Sequence, residues 1–453
     1  MKTRNLKFHA LTTIVALGLF TLMARSASLA ADKNSASWNL TPLYTFLGEA
    51  DGALPNEVVL DPAGNLYGMA YSGGNLVNCG AAGCGVAFKI DTKGHETLLN
   101  TFTGQDGANP LTGLLRDSSG TLYGNTGIDG AGGGGTVFKL RPSPRACVTA
   151  LCPWKESVLH NFPYRQSTDG SEPLGDLIRD ANGNLYGTTL WGGNGCSAPG
   201  CGTVFKVDPQ GNETILYNFA GSPNDGAVPS GSLLLDADGN LYGTTENGGK
   251  YNYGTVFELS PSGSGWKVQV LYSFTLGSDG GYPLAGLVAD PQGNLYGTAS
   301  LGGNCAEGGC GVVFELSPTG SGWALTVIHN FTGSPDGASP TATLLRDSAG
   351  NLYGTTNSGG LTGICSWEGT GDGCGTVFEL TPTRSGWMET ILYSFTGAAD
   401  GAVPLYGALV MDGRGNLYGV TTWGGDLSAT NPGCKNFLGS QVGCGVVFKL
   451  SQD

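Results

Sequence analysis

The stretch Asp180-Ala-Asn-Gly-Asn-Leu-Tyr-Gly-Thr-Thr189 decides the fold, because the chain contains seven versions of it. The Leu-Tyr-Gly tripeptide inside it recurs every 54 to 65 residues. A period of this size is typical of repeat architectures, in which each repeat is one supersecondary unit. The tyrosines of the seven copies are Tyr67, Tyr123, Tyr186, Tyr242, Tyr296, Tyr353 and Tyr418.

Each repeat predicts four short strands, which we label A to D. In the fourth copy the apolar, β-branched or aromatic runs fall at 233–236, 241–245, 254–259 and 266–274, and turn residues separate them. Runs of this length and composition are typical of strands, and the Asp-x-x-Gly-Asn motif between A and B indicates a tight hairpin. Seven such units predict an all-β fold, a seven-bladed β-propeller with four-stranded blades.

The two ends of the repeat array predict that the ring is closed. The last repeat stops after strand C, whereas the segment 38–46 carries a strand-D pattern that belongs to no other repeat. Trp38 precedes Phe46 by eight residues, as Trp266 precedes Phe274 in the fourth copy. We therefore expect strand 38–46 to complete blade seven, since closure removes the exposed sheet edges that invite aggregation.

One propeller domain is predicted over residues 38–450, and an Asp-Gly-x-x-Pro connector opens each blade. The blades start near residues 51, 106, 169, 225, 279, 336 and 400.

The N-terminal segment predicts export. Basic residues precede an apolar run at 11–23, and Ser28-Leu29-Ala30 supplies the small residues of a cleavage site. This pattern is typical of a secretory signal peptide, here residues 1–30, so we expect a secreted or periplasmic mature protein. The net charge of −14 without a Lys/Arg cluster argues against nucleic acid or an anionic membrane as partner. We expect no membrane insertion and a monomer.

The twelve cysteines fall into six local pairs, which favours disulfide bonds in an exported chain. Structural zinc is the alternative, but no second Cys-x-x-Cys or His pair accompanies any of them. Each bridge would close a small loop and contribute only ~2 kcal/mol. The expected pairs are Cys79 with Cys84, Cys147 with Cys152, Cys196 with Cys201, Cys305 with Cys310, Cys365 with Cys374, and Cys434 with Cys444.

With its Leu-Tyr-Gly, Gly-Thr-Val-Phe and Asp-Gly-x-x-Pro elements, the chain resembles the GloVer tandem-repeat family of exported bacterial proteins over about residues 38 to 450. The resemblance implies a repeat to which no activity is assigned and which other members join to varied surface anchors; this sequence shows no anchor pattern. The hairpin is also similar to those of secreted lyase and lactonase propellers, but a hairpin of this kind is a turn without chemistry.

In a propeller the B–C loops and the D–A connectors emerge on one face, and five of the cysteine pairs fall in B–C loops. Binding residues commonly lie on loops that a rigid scaffold positions. The candidates are loop aromatics and the variable residues beside the connector prolines. They are Trp191, Trp367, Trp423, Glu57, Asn109, Glu172, Tyr282 and Tyr406. The alternatives are that the tryptophans pack over loop glycines and that the connector positions vary freely on a solvent-filled rim.

No cofactor and no metal site is predicted. The seven connector aspartates favour a turn role, in which the side chain caps backbone amides two residues on, over calcium, which needs several converging oxygen ligands. His160 and His329 occupy a strand-D position that is tyrosine in other copies, so they are predicted to be packing variants, and His95 falls in a turn. No nucleophile elbow is present, although the carboxylates of Glu57 and Glu172 could converge at the channel mouth.

These observations favour a secreted, non-catalytic binding or scaffold propeller that recognises a glycan or a protein through the disulfide-stapled face. The first alternative is a propeller-type lyase or hydrolase that acts at the channel mouth. The second is a purely structural extracellular module.

Overall fold

A computed structural model describes residues 37–80, 82–142, 154–164, 168–263, 265–305, 309–362, 365, 373–427, 434 and 442–452. Every named element in these ranges is a β strand, and the compact unit to which the strands belong runs from Trp38 to Asp453. The described part of the chain contains no apolar helix long enough to cross a bilayer.

The strands associate into seven antiparallel blade sheets, in which the order across the sheet follows the predicted order A to D, and into one two-stranded sheet formed by Gly226–Ala227 and Asn247–Gly248. Blade 1 contains β2 (Ala53–Leu60), β3 (Leu66–Ser72), β4 (Val86–Ile90) and β5 (Glu96–Thr101). Blade 2 contains β6 (Leu115–Arg116), β7 (Leu122–Thr126), β8 (Gly133–Arg141) and β9 (Lys155–Pro163). Blade 3 contains β10 (Ser171–Pro173), β11 (Ile178–Arg179), β12 (Leu185–Trp191), β13 (Thr203–Val207) and β14 (Glu213–Asn218).

Blade 4 contains β15 (Gly226–Ala227), β16 (Leu234–Leu235), β17 (Leu241–Thr245), β18 (Asn247–Gly248), β19 (Thr255–Ser262) and β20 (Gly265–Ser273). Blade 5 contains β21 (Val288–Ala289), β22 (Leu295–Ala299), β23 (Val312–Thr319) and β24 (Gly322–Asn330). Blade 6 contains β25 (Leu345–Arg346), β26 (Leu352–Thr356), β27 (Thr376–Thr383) and β28 (Gly386–Ser394). Blade 7 contains β29 (Val410–Met411), β30 (Leu417–Thr421), β31 (Val446–Gln452) and the N-terminal strand β1 (Trp38–Thr45).

The N-terminal strand closes the ring as predicted. Strand β1 pairs antiparallel with β31, from Trp38 opposite Gln452 to Thr45 opposite Val446. The first and last segments of the propeller therefore share one sheet, and the predicted fold class is confirmed.

The repeated Asp-x-x-Gly-Asn-Leu-Tyr motif is one hydrogen-bonded unit. In blade 1, Asp61 Oδ1 accepts the amides of Ala63 and Asn65, both at 2.9 Å, and Asp61 Oδ2 accepts Asn65 Nδ2 at 2.8 Å and the Tyr67 hydroxyl at 3.1 Å. The tyrosine-to-aspartate bond forms in all seven blades. The recurrent tyrosine is therefore part of the hairpin, which explains its presence in every copy.

The glycine of Leu-Tyr-Gly makes room for a phenylalanine on strand C. Gly68 lies opposite Phe88 in the register of β3 and β4, and a Cβ on Gly68 would lie 2.6 Å from Phe88 Cζ. Across the seven copies this separation ranges from 2.5 to 2.8 Å. Any side chain at the glycine would displace the ring, since real Cβ atoms do not approach so closely.

Each strand-C phenylalanine meets a phenylalanine at the C-terminal end of strand D of the preceding blade. The seven pairs have ring centroids 5.0 to 5.4 Å apart in edge-to-face geometry. Such pairs add about 0.5–1.5 kcal/mol beyond their buried area. The pairs are Phe46 with Phe88, Phe102 with Phe138, Phe162 with Phe205, Phe219 with Phe257, Phe274 with Phe314, Phe331 with Phe378, and Phe395 with Phe448.

Phe46→Ala should destabilise the propeller by about 3–5 kcal/mol, the usual effect of truncating a fully buried phenylalanine, because Phe46 makes the pair that joins blade 7 to blade 1. Calorimetric melting of the mature chain measures the effect. Leu47→Ala is the matched control, since Leu47 is 48% exposed. Equal melting temperatures for the two variants would contradict a closed ring.

Candidate functional site

A narrow cavity lies where the seven blades meet, and the segments that follow the connector prolines line it. Every blade contributes, from Asn56 and Glu57 in blade 1 to Tyr406 in blade 7. The centres of water molecules have about 40 Å³ available, and one water needs roughly 10–15 Å³ on this measure. The cavity therefore admits a few waters or a single functional group, and a larger ligand has to bind at its entrance.

Hydrogen bonds between neighbouring blades hold the cavity wall. Asn56 Nδ2 of blade 1 donates to the Pro110 carbonyl of blade 2 at 2.5 Å, and the Gly286 amide of blade 5 donates to Thr343 Oγ1 of blade 6 at 2.9 Å. A Cβ on Gly231 would lie 2.4 Å from the Ala285 carbonyl oxygen. The small residues on this wall are thus required by the close approach of adjacent blades.

Two carboxyl groups from nonadjacent blades meet on the cavity wall, Glu57 of blade 1 and Asp176 of blade 3. Both lie against Gly113 of blade 2, where an added Cβ would be 3.0 Å from Glu57 Oε2 and 3.2 Å from Asp176 Oδ1. Asp176 Oδ1 accepts the Gly113 amide at 2.6 Å, and Asp176 Oδ2 accepts the Ser232 hydroxyl at 2.6 Å. Asp176 is therefore fixed by donors from both neighbouring blades.

The environment of Glu57 favours its protonated form. Burial raises the pKa of Glu57 well above its ordinary value, and the negative Asp176 and a side-chain hydrogen bond to it raise the pKa further, against a smaller lowering by the Ala408 backbone. A protonated carboxylic acid beside a hydrogen-bonded carboxyl group is an arrangement suited to proton donation or to binding a hydroxyl group. The pair supplies two oxygen ligands at most, fewer than a calcium ion requires.

Tyr406 lies at the entrance of the cavity with its side chain 39% exposed. Its amide donates to Thr341 Oγ1 at 3.4 Å, and its backbone has φ +61°. Partial burial, followed by the negative charge of Glu246 from blade 4, raises the pKa of Tyr406. The entrance therefore presents an aromatic ring near acidic groups.

A second pocket adjoins the cavity and contains two more of the predicted residues, Asn109 and Glu172. It shares the side chains Leu111 and Leu174 with the central cavity, and Asn109 Nδ2 donates to the Tyr71 carbonyl at 3.0 Å. Four of the five predicted connector residues thus line one continuous surface.

Two expectations from the sequence do not fit this arrangement: the position of Tyr282, and the meeting of Glu57 with Glu172. Tyr282 lies outside these two pockets and packs edge-to-face on Tyr253 at 5.8 Å. The carboxyl group that meets Glu57 is that of Asp176, because Glu172 precedes its connector proline and lines the adjoining pocket.

The variable position before each connector proline adopts a left-handed backbone conformation in every blade. The seven φ angles range from +52° to +59° and belong to Leu54, Asn109, Glu172, Val228, Tyr282, Ser339 and Val403. Valine in this region is a genuine outlier, so the backbone is held there by its surroundings. Val228 illustrates how: its amide donates to the Cys201 carbonyl and its carbonyl accepts the Glu246 amide, both at 2.9 Å.

The three predicted tryptophans have different settings. Trp423 packs against the core shared by blades 6 and 7, as the packing alternative predicts for it. Trp191 is partly buried at the end of β12, opposite Ser171. Trp367 lies outside the described residues.

Five of the six predicted disulfides are formed. The bridges join Cys79 to Cys84, Cys196 to Cys201, Cys305 to Cys310, Cys365 to Cys374, and Cys434 to Cys444. The sixth predicted pair, Cys147 and Cys152, lies outside the described residues. Local disulfides in this number indicate an oxidising compartment.

The second cysteine of each of these five pairs also holds the next connector. Its carbonyl accepts the amide of the left-handed residue before the connector proline, at 2.8 to 2.9 Å. The acceptors are the carbonyls of Cys84, Cys201, Cys310, Cys374 and Cys444, and the donors are the amides of Asn109, Val228, Ser339, Val403 and Leu54, in the same order. Each bridge therefore staples a loop that fixes the start of the neighbouring blade.

The connector aspartates do have a turn role, but most of the amides that they accept precede the aspartate in sequence. Asp225 Oδ2 accepts the Ala220 amide at 2.7 Å and the Tyr217 hydroxyl at 2.8 Å, and Asp225 Oδ1 accepts the Gly226 amide at 2.8 Å. The expectation that the capped amides lie two residues on was therefore wrong, because the connector turns back over the end of strand D.

Asp176 and Glu246 were not among the predicted residues. A comparison of the seven copies could have found Asp176, since the third residue after the connector proline is a carboxylate only there. Glu246 carried no such signal, because its position relative to Tyr406 depends on how blades 4 and 7 face each other.

A family model described as the Gloeobacter/Verrucomicrobia repeat matches residues 32–156, 149–366 and 309–453. Among curated proteins, none matches the chain in sequence.

Solved structures resemble the chain distantly. A gluconolactonase from Xanthomonas campestris has 14% identity and a TM-score of 0.40, with 71% of this chain and 87% of that chain covered. A protein from Lactobacillus plantarum has 16% identity and a TM-score of 0.45, with 85% and 98% covered. The GH74 enzyme of Niastella koreensis has 15% identity and a TM-score of 0.44. The alignment covers 77% of this chain but 46% of that chain. At these scores the likeness carries no information on function.

Glu57→Gln should make the propeller less sensitive to rising pH. A group whose pKa is raised on folding stabilises the folded state below its unfolded pKa, and that stability is lost as pH rises towards the folded pKa. The wild type should therefore lose more stability than Glu57→Gln between pH 4 and pH 8, measured by thermal melting. Thr112→Ser, which changes the same cavity wall without removing a titratable group, is the matched control and should keep the wild-type pH profile. Identical pH profiles for wild type and Glu57→Gln would contradict the raised pKa.

Proposed function

Because the chain belongs to the Gloeobacter/Verrucomicrobia repeat family, whose repeat spans the whole propeller, we propose that it is an exported, non-catalytic binding propeller. The ligand is a glycan, which it recognises at the entrance of the central cavity and on the adjoining pocket.

One observation carries this proposal, the exposed ring of Tyr406 at the entrance of a cavity whose wall holds the Glu57–Asp176 pair. Sugars offer an apolar ring face with hydroxyl groups around it. A tyrosine ring stacks on such a face, and a few well-placed polar groups fix its orientation. A single hydroxyl group fits the cavity, whereas the sugar ring itself remains outside.

The charge of the protein limits the classes of glycan that can bind. Glu172 lines the adjoining pocket, Glu246 lies near Tyr406, and the chain has a net charge of −14. Such a surface repels polyanions. A neutral or cationic glycan is the ligand class that this surface accepts.

The compartment agrees with a glycan partner. The disulfides indicate oxidising conditions, and residues 1–30 carry the pattern of a signal peptide. We propose that the mature protein is a secreted or periplasmic monomer whose single propeller domain covers residues 38–450.

The Glu57–Asp176 pair favours a second candidate function, hydrolysis or elimination on a glycan at the cavity mouth. Glu57 would act as the general acid and Asp176 as its partner carboxylate. Binding without chemistry is preferred because both Asp176 oxygens already accept hydrogen bonds at 2.6 Å and the cavity is too small for a sugar ring.

Tyr406→Ala should weaken binding of a retained neutral polysaccharide about tenfold, equivalent to about 1.4 kcal/mol, because it removes the stacking surface. Isothermal titration with glycans first identified in a polysaccharide panel measures the effect. Tyr164→Ala is the matched control, since Tyr164 is 65% exposed and lies outside the described lining of the cavity. Unchanged affinity of Tyr406→Ala would contradict the proposed surface.

Incubation with the same glycans also distinguishes binding alone from catalysis. Chromatography after long incubation should recover them unaltered. A product that disappears with Glu57→Gln would favour the enzyme instead, and retention of proteins but no glycan would favour a protein partner.

A further inference from the structure

A three-part contact recurs where adjacent blades meet. It consists of a strand-D residue of one blade, the connector aspartate, and a strand-D residue of the next blade. Between blades 7 and 1 the Tyr44 hydroxyl donates to Asp51 Oδ2 and to Glu96 Oε2, both at 3.1 Å. Tyr217, Tyr272 and Tyr393 donate to their connector aspartates at 2.8 to 3.0 Å.

Two interfaces carry histidine at the tyrosine position. His160, Asp169 and Glu213 meet between blades 2 and 3, and His329, Asp336 and Glu389 meet between blades 5 and 6. In each set, three ligand atoms, one from each residue, all lie within 4.8 Å of one another. The chain thus builds the same imidazole and two-carboxylate set twice.

Packing fixes the direction of both imidazole rings. His160 lies edge-on to Phe162 and His329 edge-on to Phe331, each at 4.6 Å between ring centroids, and Tyr44 has the same relation to Phe46 at 5.0 Å. The histidines are therefore packing variants of tyrosine, as expected from the sequence. The shorter ring has no hydroxyl oxygen, however, so Nε2 instead faces the carboxylates.

The distances fit coordination of one cation better than direct hydrogen bonds. His329 Nε2 lies 3.5 Å from Asp336 Oδ2 and 3.3 Å from Glu389 Oε1, and His160 Nε2 lies 3.5 Å from Asp169 Oδ2. Charge-assisted N–H···O bonds are about 2.7–2.9 Å long. Ligand atoms around a tetrahedral zinc ion, with bonds of about 2.0–2.2 Å, lie about 3.4 Å apart.

Four of the ligand atoms are buried and have no hydrogen-bond partner within the described ranges, namely Nε2 of His160 and His329 and Oε1 of Glu213 and Glu389. An unsatisfied buried polar group costs about 1–3 kcal/mol. A divalent cation bound to Nε2 and the carboxylates would satisfy these atoms together.

Both histidine interfaces contain a glutamate, although glutamate also occurs at the same register position without histidine, as Glu96 in blade 1 and Glu156 in blade 2. The glutamates occupy one register position, where Glu213 lies opposite Val207 and Glu389 opposite Leu380. The same position holds Val268, Leu325 and Leu40 in blades 4, 5 and 7, and there the preceding blade supplies a tyrosine to the connector aspartate. Where the third ligand is absent, histidine is absent too.

The connector turn also orients one of the carboxylates. Asp336 Oδ1 accepts the Thr332 amide at 3.1 Å and the Thr332 hydroxyl at 2.7 Å, which leaves Oδ2 facing His329. Hydrogen bonds that fix a ligand in this way are a common feature of metal sites.

We propose that the blade 2/3 interface, through His160, Asp169 and Glu213, and the blade 5/6 interface, through His329, Asp336 and Glu389, each bind one divalent cation of the zinc class. An imidazole nitrogen with two carboxylate oxygens suits zinc and neighbouring transition metals rather than magnesium or calcium, which take oxygen ligands. The bound ions would tie adjacent blades together at two places on the ring.

The test is calorimetric titration of Zn²⁺ into the untagged, metal-free mature protein. Two equivalents should bind, His160→Tyr and His329→Tyr should each lose one, and the double variant should lose both. Tyrosine is a suitable replacement because it restores the hydroxyl contact found at Tyr44, so unchanged far-ultraviolet circular dichroism is expected. His95→Tyr is the matched control and should keep both equivalents, since His95 is an exposed turn residue whose ring pairs with Asp91.

Absence of zinc binding by the wild type, or binding that persists in the double variant, would overturn the proposal. Loss of one equivalent in both the His329→Tyr and the double variant, with none lost in His160→Tyr, would overturn it for the blade 2/3 interface, and the converse result would do so for blade 5/6.

Discussion

The contact between the glycine of Leu-Tyr-Gly and the phenylalanine of strand C is the constraint on which the rest of the propeller depends. The absence of a side chain lets the Phe88 ring lie against Gly68, and the same ring then meets Phe46 of the neighbouring blade. One pair of positions thus determines both the packing within a blade and the contact between blades. Seven repetitions carry the contact around the ring, and the N-terminal strand supplies the last partner.

The connectors provide a second set of contacts between blades, and these contacts position the candidate site. The left-handed residue before each connector proline is held by its backbone, as Val228 is by Cys201 and Glu246, so its side chain can vary between copies. The residues just after the proline form the cavity wall, and at the second and third of these positions most copies are small because neighbouring blades approach closely. The large polar exceptions at these two positions, Glu57, Asp176 and Tyr406, are the groups available for recognition.

The sequence predicts the scaffold well because the scaffold depends on contacts that recur with the repeat. The period, the four runs of each copy and the unmatched strand at 38–46 are sufficient for the blade count and for ring closure. The cavity was predicted in part: Glu57 and Tyr406 do line it. Asp176 and the two histidine clusters were missed because they join residues of different blades, and their meeting depends on the rotation between blades. The role of Trp423 was equally hidden, since a loop tryptophan packs or projects according to the loop's path.

A double-mutant cycle at Gly354 and Phe378 tests the central constraint most directly, since a Cβ on Gly354 would lie 2.5 Å from Phe378 Cζ. Calorimetric melting should show that Gly354→Ala destabilises the wild-type propeller by about 1–3 kcal/mol, the usual effect of overpacking. In the Phe378→Leu background the same change should have a much smaller effect, because the ring that it displaces is gone, and the coupling should exceed about 1 kcal/mol. Additive effects of the two substitutions would contradict the account.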